Sequence, residues 1–578
     1  MKPRILIDLR HYSKALFSAD LMAGLVVGIV ALPLAIAFAI AASPGGDAEH
    51  TIGPGIGIIT AIVAGLIISL FGGSRVQIGG PTGAFIVIIY GVVAKFGLSG
   101  LLVATVLASI LLVLMGLFRL GSVIKFIPYP IVVGFTSGIA LTIFTTQVKD
   151  LLGLTIEGGV PAAFIDKWAC YFRNITTLQW DAIIVSVVSI AIIVASARWM
   201  KRLPGSLLAI IVTTAVVYFT NQSGLTRIAT IGDRFGAITA SLPSITAFQL
   251  DWAALFTDAE GHFTLTTLNA LLPTAFVIAI LGAIESLLSA TVADGVTGDH
   301  HDSNQELIGQ GIANIVAPFF GGIPATGAIA RTMTNINNGA RTCIAGVIHA
   351  LVLLVIFLLA MPLAAYIPMP TLAGVLVVVS YNMSQWRTFA QLTHRPKSDV
   401  VVLLVTFVLT VVFDLTIAIE LGLVLACLLF MRRMAEVSQL SIFTKEIDPN
   451  ADPVADIPLH EEALTIPEGV EVYEINGPFF FGVANRFEEM TAEMQDHPAI
   501  RIIRMRRVPF IDSTGVHNLE NLCLMSQRDG TQIILSGVQP KVRAVLERAG
   551  FPALIGEDNI CSHITLALDR AAALREKA

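Results

Sequence analysis

The chain has 578 residues, of which 55% are hydrophobic and only 13% are charged, and its mean hydropathy is +0.78. A soluble globular domain carries about 25% charged residues, so the composition indicates a protein that crosses a membrane many times. The net charge of −6 says little about the class of protein. The five cysteines are scattered and indicate neither a disulfide framework nor zinc-ligand spacing. No phosphate-binding loop ending in Gly-Lys-Ser/Thr and no nucleophile–His–Asp set occurs. A nucleotide-driven pump, an enzyme and a nucleic-acid partner are therefore not expected.

Apolar runs dominate residues 21–431 and predict about fourteen spans, two of them broken helices. A helix needs about 20 apolar residues to cross a bilayer. Basic residues between the runs, such as Arg119, Lys201 and Arg387, predict a multi-pass bacterial inner-membrane protein with both termini in the cytosol. The unbroken runs are Leu21–Ala42, Pro54–Phe71, Leu98–Leu117, Phe126–Val148, Ile183–Ala197, Leu207–Thr220, Leu268–Val292, Ile308–Phe320, Cys343–Ala360, Thr371–Ser384, Val400–Phe413 and Leu415–Met431.

Two segments rich in glycine and proline interrupt this pattern at matching places in its two halves. Gly79–Phe85 and Gly321–Asn335 share the sequence Thr-Gly-Ala. Paired broken helices mark the binding site of many transporters, because lipid tolerates a break only where it lines a cavity or is buried in protein. A restarted helix offers free amides and partial positive charge to an anion, and Arg331 adds a full charge. Close helix packing through small residues is the alternative explanation.

Ionisable residues inside apolar runs are functional candidates. Glu285 is the clearest, and Ser289, four residues on, shares its helix face and could ligate the same cation or relay a proton. The structural alternatives are a carboxylate hydrogen-bonded to a neighbouring helix and an Arg331 that pairs with a carboxylate such as Glu285. His300–Asp302 could suggest a metal, but no second ligand cluster accompanies it, so a solvated loop and no metal are expected. Any energy source is an ion gradient.

The composition changes after Arg433. Residues 1–437 form the predicted transmembrane domain, residues 438–469 a linker rich in proline and aspartate, and residues 470–578 a cytosolic α/β domain. Its predicted strands and helices are Val472–Ile475, Ile502–Val508 and Gln532–Leu535, and Ala484–Met494, Thr514–Met525, Pro540–Ala549 and Ile564–Arg575.

The sequence resembles the SulP family of anion transporters (sulfate permeases) over nearly its full length. The motifs that carry the resemblance are Ala31–Ala39, Gly79–Phe85, Ile284–Leu288, Asp302–Leu307 and Gly321–Asn335. Phe510–Gly515 resembles the strand-to-helix turn of the family's C-terminal STAS domain. Gly282–Leu288 and His301–Gly311 are similar to bacterial dicarboxylate-type members.

The resemblance implies an inverted seven-plus-seven repeat, a core and a gate subdomain, a homodimer and elevator-like alternating access. It places the substrate between the third and tenth helices, closed off by the first. The implied substrate-binding residues are Leu34, Phe38, Thr82, Gly83, Ala84, Phe85, Thr326, Gly327, Ala328, Ile329, Ala330 and Arg331. Glu285 and Ser289 match the coupling-cation site, where Asp and Thr are typical. The longer carboxylate favours a proton over sodium, and no cofactor is implied.

The resemblance also matches Thr514 to a position phosphorylated in related bacterial regulators. A turn residue that caps a helix is the alternative, and a cytosolic regulatory protein is an expected partner of the STAS domain. The leading function is secondary active transport of a dicarboxylate, bicarbonate or sulfate. The alternatives are an uncoupled exchanger or channel-like path, which has no need of Glu285, and a membrane-tethered signalling module, which has no need of two broken helices.

Overall fold

The computed structural model describes residues 2–44, 50–122, 128–156, 160–161, 163–199, 204–236, 245, 266–413, 415–437, 439–443, 446–447, 464–481 and 498–576. The chain divides into two compact units, Met1–Ala426 and Cys427–Ala578. Most of the external insertion expected at residues 221–262 and the helix expected at Ala484–Met494 lie outside the described residues.

Helices build the first unit, and the last of them continues into the second. They are α1 (Ile5–Asp8), α2 (Lys14–Ala41), α3 (Pro54–Phe71), α4 (Ile86–Leu117), α5 (Tyr129–Leu152), α6 (Phe164–Arg173), α7 (Trp180–Trp199), α8 (Gly205–Gln222), α9 (Ile231–Phe235), α10 (Thr266–Thr297), α11 (Ser303–Phe319), α12 (Ile329–Asn337), α13 (Ile344–Ala364), α14 (Met369–Met383), α15 (Trp386–Leu392), α16 (Lys397–Val412) and α17 (Leu415–Val437).

Among the described residues, eight helices are long and apolar enough to cross a membrane: α2, α3, α4 with the 3₁₀ turn before it, α5, α7, α8, α10 and α13. Gly97 has a φ of 65°, outside the helical region, and divides α4 into two segments. When the two segments of α4 are counted separately and α11, α12, α14, α16 and α17 are added, the described part of the chain holds fourteen helical segments in the expected order. The expected polytopic helical architecture is confirmed.

The segments pack in two groups. In the first, α11 packs on α3 and α4, and α13 packs on α2 and α3, so each half of the chain buries its apolar surface against the other. In the second, α5 packs on α14 and α16, and α7 packs on α8 and α14. Small residues permit the close contacts: a Cβ at Gly57 or Gly309 would meet backbone atoms of the neighbouring helix.

The second unit contains a five-stranded sheet. Its strands β3 (Gln439–Phe443), β6 (Val470–Asn476), β7 (Ile500–Arg507), β8 (Gln532–Ser536) and β9 (Ile560–Cys561) follow that spatial order. β3 pairs antiparallel with β6, and the other three pairings are parallel. The helices are α18 (Ser513–Arg528), α19 (Pro540–Arg548), α20 (Phe551–Ile555) and α21 (Ile564–Arg575).

The segment expected to be a linker contains paired strands. β3 is an edge strand of the sheet, and β4 (Glu446–Ile447) pairs antiparallel with β5 (Leu464–Thr465). The linker expectation rested on proline and aspartate content, which identifies breaks but not the short strands between them. β3 joins the sheet through backbone hydrogen bonds to β6. This pairing cannot be predicted from the local composition of β3.

Candidate functional site

The two broken elements meet inside the first group of helices. Short strands β1 (Gly79–Gly80) and β2 (Thr326–Gly327) pair antiparallel, with Gly79 opposite Gly327 and Gly80 opposite Thr326. All four residues are buried. The chain then restarts as the 3₁₀ turn Gly83–Phe85, which leads into α4, and as α12. The crossing brings the two restarts together, as the matching sequence pattern predicts.

Buried polar side chains hold this crossing in place. The amide of Asn314 on α11 bridges the backbone of Ala325, donating to its carbonyl and accepting from its N–H, both at 2.7 Å. The hydroxyl oxygens of Ser286 and Thr326 are 2.6 Å apart, and Gln77 donates to the carbonyl of Ser286 at 3.2 Å. Breaking a helix frees backbone groups that must be paired when they are buried. Asn314 pairs those of Ala325, and the Ser286 hydroxyl accepts from the N–H of Gly327 at 3.2 Å.

A cavity of about 310 Å³ lies at the restarts. Leu34 and Phe38 of α2, Glu285 of α10 and Thr136 of α5 contribute to its wall. The other lining residues are Thr82, Gly83, Ala84, Ala328, Ile329, Ala330, Arg331, Val379, Asn382, Met383 and Gln385. The wall is mostly apolar and joins residues from both groups of helices.

Arg331 supplies the cationic group of this cavity. Its side chain is only 2% exposed. Nη2 donates to the carbonyl of Pro81 at 2.6 Å, while buried Nη1 has no hydrogen-bond partner in the part of the chain that the structure describes. No ion pair to Arg331 exists within the described ranges, so the alternative in which it serves as a structural partner of Glu285 finds no such contact. A buried charge without a counter-charge is costly, and an anion in the cavity would supply one.

Glu285 lines the same cavity and is partly exposed to it. Within the residues that the structure describes, its carboxylate forms no hydrogen bond and no ion pair. Ser289 is fully buried, does not line the cavity and donates to the hydroxyl of Thr332 at 3.2 Å. Ser289 therefore lies a turn away from the cavity wall, and its hydroxyl is engaged with α12.

Nine of the twelve residues that the resemblance implies for substrate binding line the cavity. Phe85, Thr326 and Gly327 do not. Phe85 is 1% exposed and packs in the apolar core, and the Thr326 hydroxyl donates to the carbonyl of Gly282 at 3.2 Å. Gly327 lies against Gln77, so closely that a Cβ would collide with the Gln77 amide. These three residues belong to the support of the crossing.

Sequence reasoning missed five lining residues: Thr136, Val379, Asn382, Met383 and Gln385. Thr136 lies inside an apolar run, and the others end α14 or follow it. Asn382 falls inside the predicted run Thr371–Ser384 and Gln385 directly follows it, so the polarity of these two amides alone does not assign them to the cavity. Gln385 has a left-handed φ of 43°, which ends α14 beside the cavity.

The remaining candidate positions lie elsewhere. His301 contacts Asp294 (Nδ1–Oδ2 2.6 Å) and Ser303, and among the described residues no cluster suits a metal ion. In the second unit, Asp512 caps α18 by accepting from the N–H of Gly515 at 2.8 Å. Thr514 follows this cap, is partly exposed and is not itself the capping residue. Its modification stays a prediction.

Comparison with known proteins decides the family. The profile of the sulfate permease family matches residues 17–406, and that of the STAS domain matches residues 463–569. The chain belongs to the sulfate permease family. The putative sulfate transporter YvdB of Bacillus subtilis (strain 168) is 39% identical over 570 residues, which cover 96% of this chain and 98% of that protein.

Two solved structures extend the comparison. The transmembrane domain of a cyanobacterium bicarbonate transporter BicA is 29% identical, with a TM-score of 0.59, and the match covers 72% of this chain and 98% of that one. The murine Slc26a9 anion transporter in the inward-facing state has a TM-score of 0.83 and 19% identity over 99% of this chain and 94% of its own. The second likeness shows the fold alone. This sulfate permease family member is thus a multi-pass membrane protein of an anion-transporting family, with a C-terminal STAS domain, and not an enzyme.

Proposed function

We propose that the protein is a secondary active transporter of a compact oxyanion, in the first place sulfate, driven by a proton gradient. The observation that supports this best is one cavity in which two helix restarts meet buried Arg331 and Glu285, neither of which has an ion-pair partner among the described residues. The anion would bind at Arg331 and the first-turn amides of α12. Alternation would be elevator-like, with the first group of helices moving against the second.

The charges of the cavity favour a compact anion. Arg331 is the one cationic residue among its described lining residues. A dicarboxylate has two charges held apart by a carbon chain and would use two separated cationic points. Sulfate and bicarbonate concentrate their charge on one centre, where one guanidinium and helix amides can surround it. YvdB is named as a putative sulfate transporter and BicA as a bicarbonate transporter. Both anions are therefore included in the transport assay.

The coupling ion follows from Glu285. Burial disfavours the charged form of a carboxyl group, so such a group can take up a proton on one side and release it on the other. A sodium ion would need several oxygen ligands, and Ser289, whose hydroxyl donates to Thr332, does not line the cavity beside Glu285. A proton carried with bicarbonate amounts to carbon dioxide and water, and carbon dioxide crosses membranes unaided. Proton coupling therefore favours sulfate of the two anions.

The test is uptake of labelled sulfate, bicarbonate and a dicarboxylate into proteoliposomes under an imposed pH gradient and, separately, an imposed sodium gradient. We expect sulfate to accumulate when the outside is acidic. Glu285→Gln should lose this accumulation and retain exchange of sulfate for sulfate. Asp181→Asn, an exposed carboxylate in the first turn of α7, is the matched control. Accumulation of bicarbonate that follows sodium and ignores pH would reject proton-coupled sulfate transport, and concentrative uptake by Glu285→Gln would reject the coupling role.

The domains and topology complete the proposal. Residues 1–437 would carry out transport, residues 438–469 would link the two domains, and residues 470–578 would regulate transport and support a homodimer. The protein would lie in a bacterial inner membrane with both termini in the cytosol. The cavity is formed entirely by residues of the first unit. A chain ending at Val437 should therefore bind the anion as the full chain does. Loss of binding in a well-folded truncated protein would contradict this division.

A further inference from the structure

A second, smaller pocket lies in the first unit and is not part of the cavity described above. It is formed where α2 ends, at Ile40 and Ser43, together with Tyr90 of α4, Thr146 of α5, Tyr171 of α6 and Arg234 of α9. Its volume is about 90 Å³. Pockets for drug-sized ligands measure roughly 300–1,000 Å³, so this one suits a small inorganic anion.

Positive charge predominates in the pocket. Lys149, Lys167 and Arg234 line it, with Asp150 as the one carboxylate among its described lining residues. Arg234 pairs with Asp150 (Nη1–Oδ2 3.2 Å). Neither lysine has an ion pair within the described part of the chain, which leaves two ammonium groups without a counter-charge.

Two hydrogen-bond donors of the pocket, Lys167 and Tyr171, are buried in the protein interior. Lys167 is only 4% exposed, and its Nζ lies over the ring of Tyr90, 5.3 Å from the centroid. Tyr171 is 2% exposed, and its hydroxyl has no hydrogen-bond partner among the described residues. Burying an ammonium and a hydroxyl costs free energy unless they are satisfied. An oxyanion in the pocket would satisfy both.

The pocket is stacked on the central cavity along shared helices. Thr136 lines the cavity and Thr146 the pocket, and ten residues of α5 correspond to about 15 Å of helix. Between them, Ile139 and Ile143 are fully buried in the apolar core, as are Ile86 and Ile89 on α4. An apolar layer therefore separates two cationic sites along one path.

The geometry points to a second anion subsite, formed by Lys167, Tyr171 and Lys149, that receives a small inorganic oxyanion before it passes to Arg331. This inference rests on the proposed function. It adds to that function a first binding site for the anion on the side where α2 ends. In the proposed topology that side is external. The subsite would raise the local anion concentration at the closed apolar layer, as a positively charged cleft does for its ligand.

The subsite should lose affinity at alkaline pH. Burial lowers the pKa of Lys167 to about 8, so the ammonium that binds the anion is progressively lost as the pH rises through 8. The titratable and charged groups around Lys167 are Tyr90, Lys149, Asp150, Tyr171 and Arg234. Burial and nearby Asp150 raise the pKa of Tyr171, so its hydroxyl stays protonated. Sulfate keeps its charge over this range, which makes it the suitable probe.

The experiment measures labelled sulfate and, in parallel, bicarbonate in right-side-out membrane vesicles containing the full chain. Lys167→Met should raise the external KM for uptake about tenfold, the loss of one charge-assisted contact, and leave the KM for efflux unchanged. Tyr171→Phe, which removes only the hydroxyl, should raise the external KM about threefold. Lys167→Arg should keep its external KM for sulfate at pH 9, where the unmodified protein loses affinity.

Arg173→Gln removes an exposed charge from the same helix and should change neither KM. If Lys167→Met fails to fold, Tyr171→Phe and the pH response of Lys167→Arg decide alone. An unchanged external KM, or an equal rise in the KM for uptake and efflux, would overturn the subsite. Arg331→Ala distinguishes the two proposals: it should raise both constants, and if it raises neither, the proposed function itself fails.

Discussion

In the first half of the chain the break ends in Thr82 and the turn Gly83–Phe85, and in the second half it ends in Thr326 and α12. The two breaks share Thr-Gly-Ala and pair with each other strand to strand. Their chemistry differs. Thr82 lines the cavity with a buried hydroxyl that has no hydrogen-bond partner in the described part of the chain, whereas the Thr326 hydroxyl is bonded to Ser286 and Gly282 behind the wall.

The charge is divided just as unequally. The second break carries Arg331, and the first contributes the carbonyl of Pro81, which accepts from its guanidinium. The first break thus positions the cation that the second one supplies. A repeated sequence pattern accordingly predicts a repeated backbone shape, while the side chains on it have separate roles in binding and in support.

Gly80→Ala should have the largest effect. Gly80 has a φ of +151°, a conformation that L residues rarely adopt, and a Cβ there would collide with Nη1 of Arg331. Strain of about 1–3 kcal/mol should lower stability, and the displaced guanidinium should lower sulfate affinity by up to as much as Arg331→Ala does. Gly91→Ala, an open position on α4, is the control. Equal sulfate affinity in Gly80→Ala and the unmodified protein, measured by equilibrium binding, would show that the first break does not position the cation.

Thr326→Val should mainly reduce stability. The substitution keeps the shape and removes a buried hydroxyl that donates to Gly282 and contacts Ser286, at a cost of about 1–3 kcal/mol. We expect a lower thermal-unfolding midpoint in detergent, with sulfate affinity of the folded protein within about twofold of normal, since Thr326 does not line the cavity. A large loss of affinity at unchanged stability would place Thr326 at the ligand instead.

Thr82→Val should have the smallest effect of the three substitutions. In contrast to Thr326→Val, it should reduce sulfate affinity and leave stability unchanged. Its hydroxyl has no hydrogen-bond partner among the residues that the structure describes, so stability should not fall, while an anion that accepts from it should bind more weakly by about 0.5–1.5 kcal/mol. The two valine variants are each other's controls. If Thr82→Val and Thr326→Val behave alike in both measurements, the division between binding and support is wrong.

The sequence predicts the helices better than it predicts which of their residues line the cavity. Pro54–Phe71 agrees residue for residue with α3, because a proline begins the run and glycines end it. Arg331 and Glu285 could be recognised as site residues because charges in apolar runs are costly. Asn382 and Gln385 could not, since their place in the cavity depends on how α14 packs against the first group of helices.

The central claim is that the guanidinium of Arg331 binds the anion, and equilibrium binding of labelled sulfate to purified protein tests it most directly. Arg331→Ala should weaken binding by about 1–3 kcal/mol, the range for contacts with a charged group, which is roughly 5- to 150-fold in Kd. Arg341→Ala, which removes an exposed arginine a short distance along the chain, should bind as the unmodified protein does. Unchanged sulfate affinity in a folded Arg331→Ala protein would contradict the account.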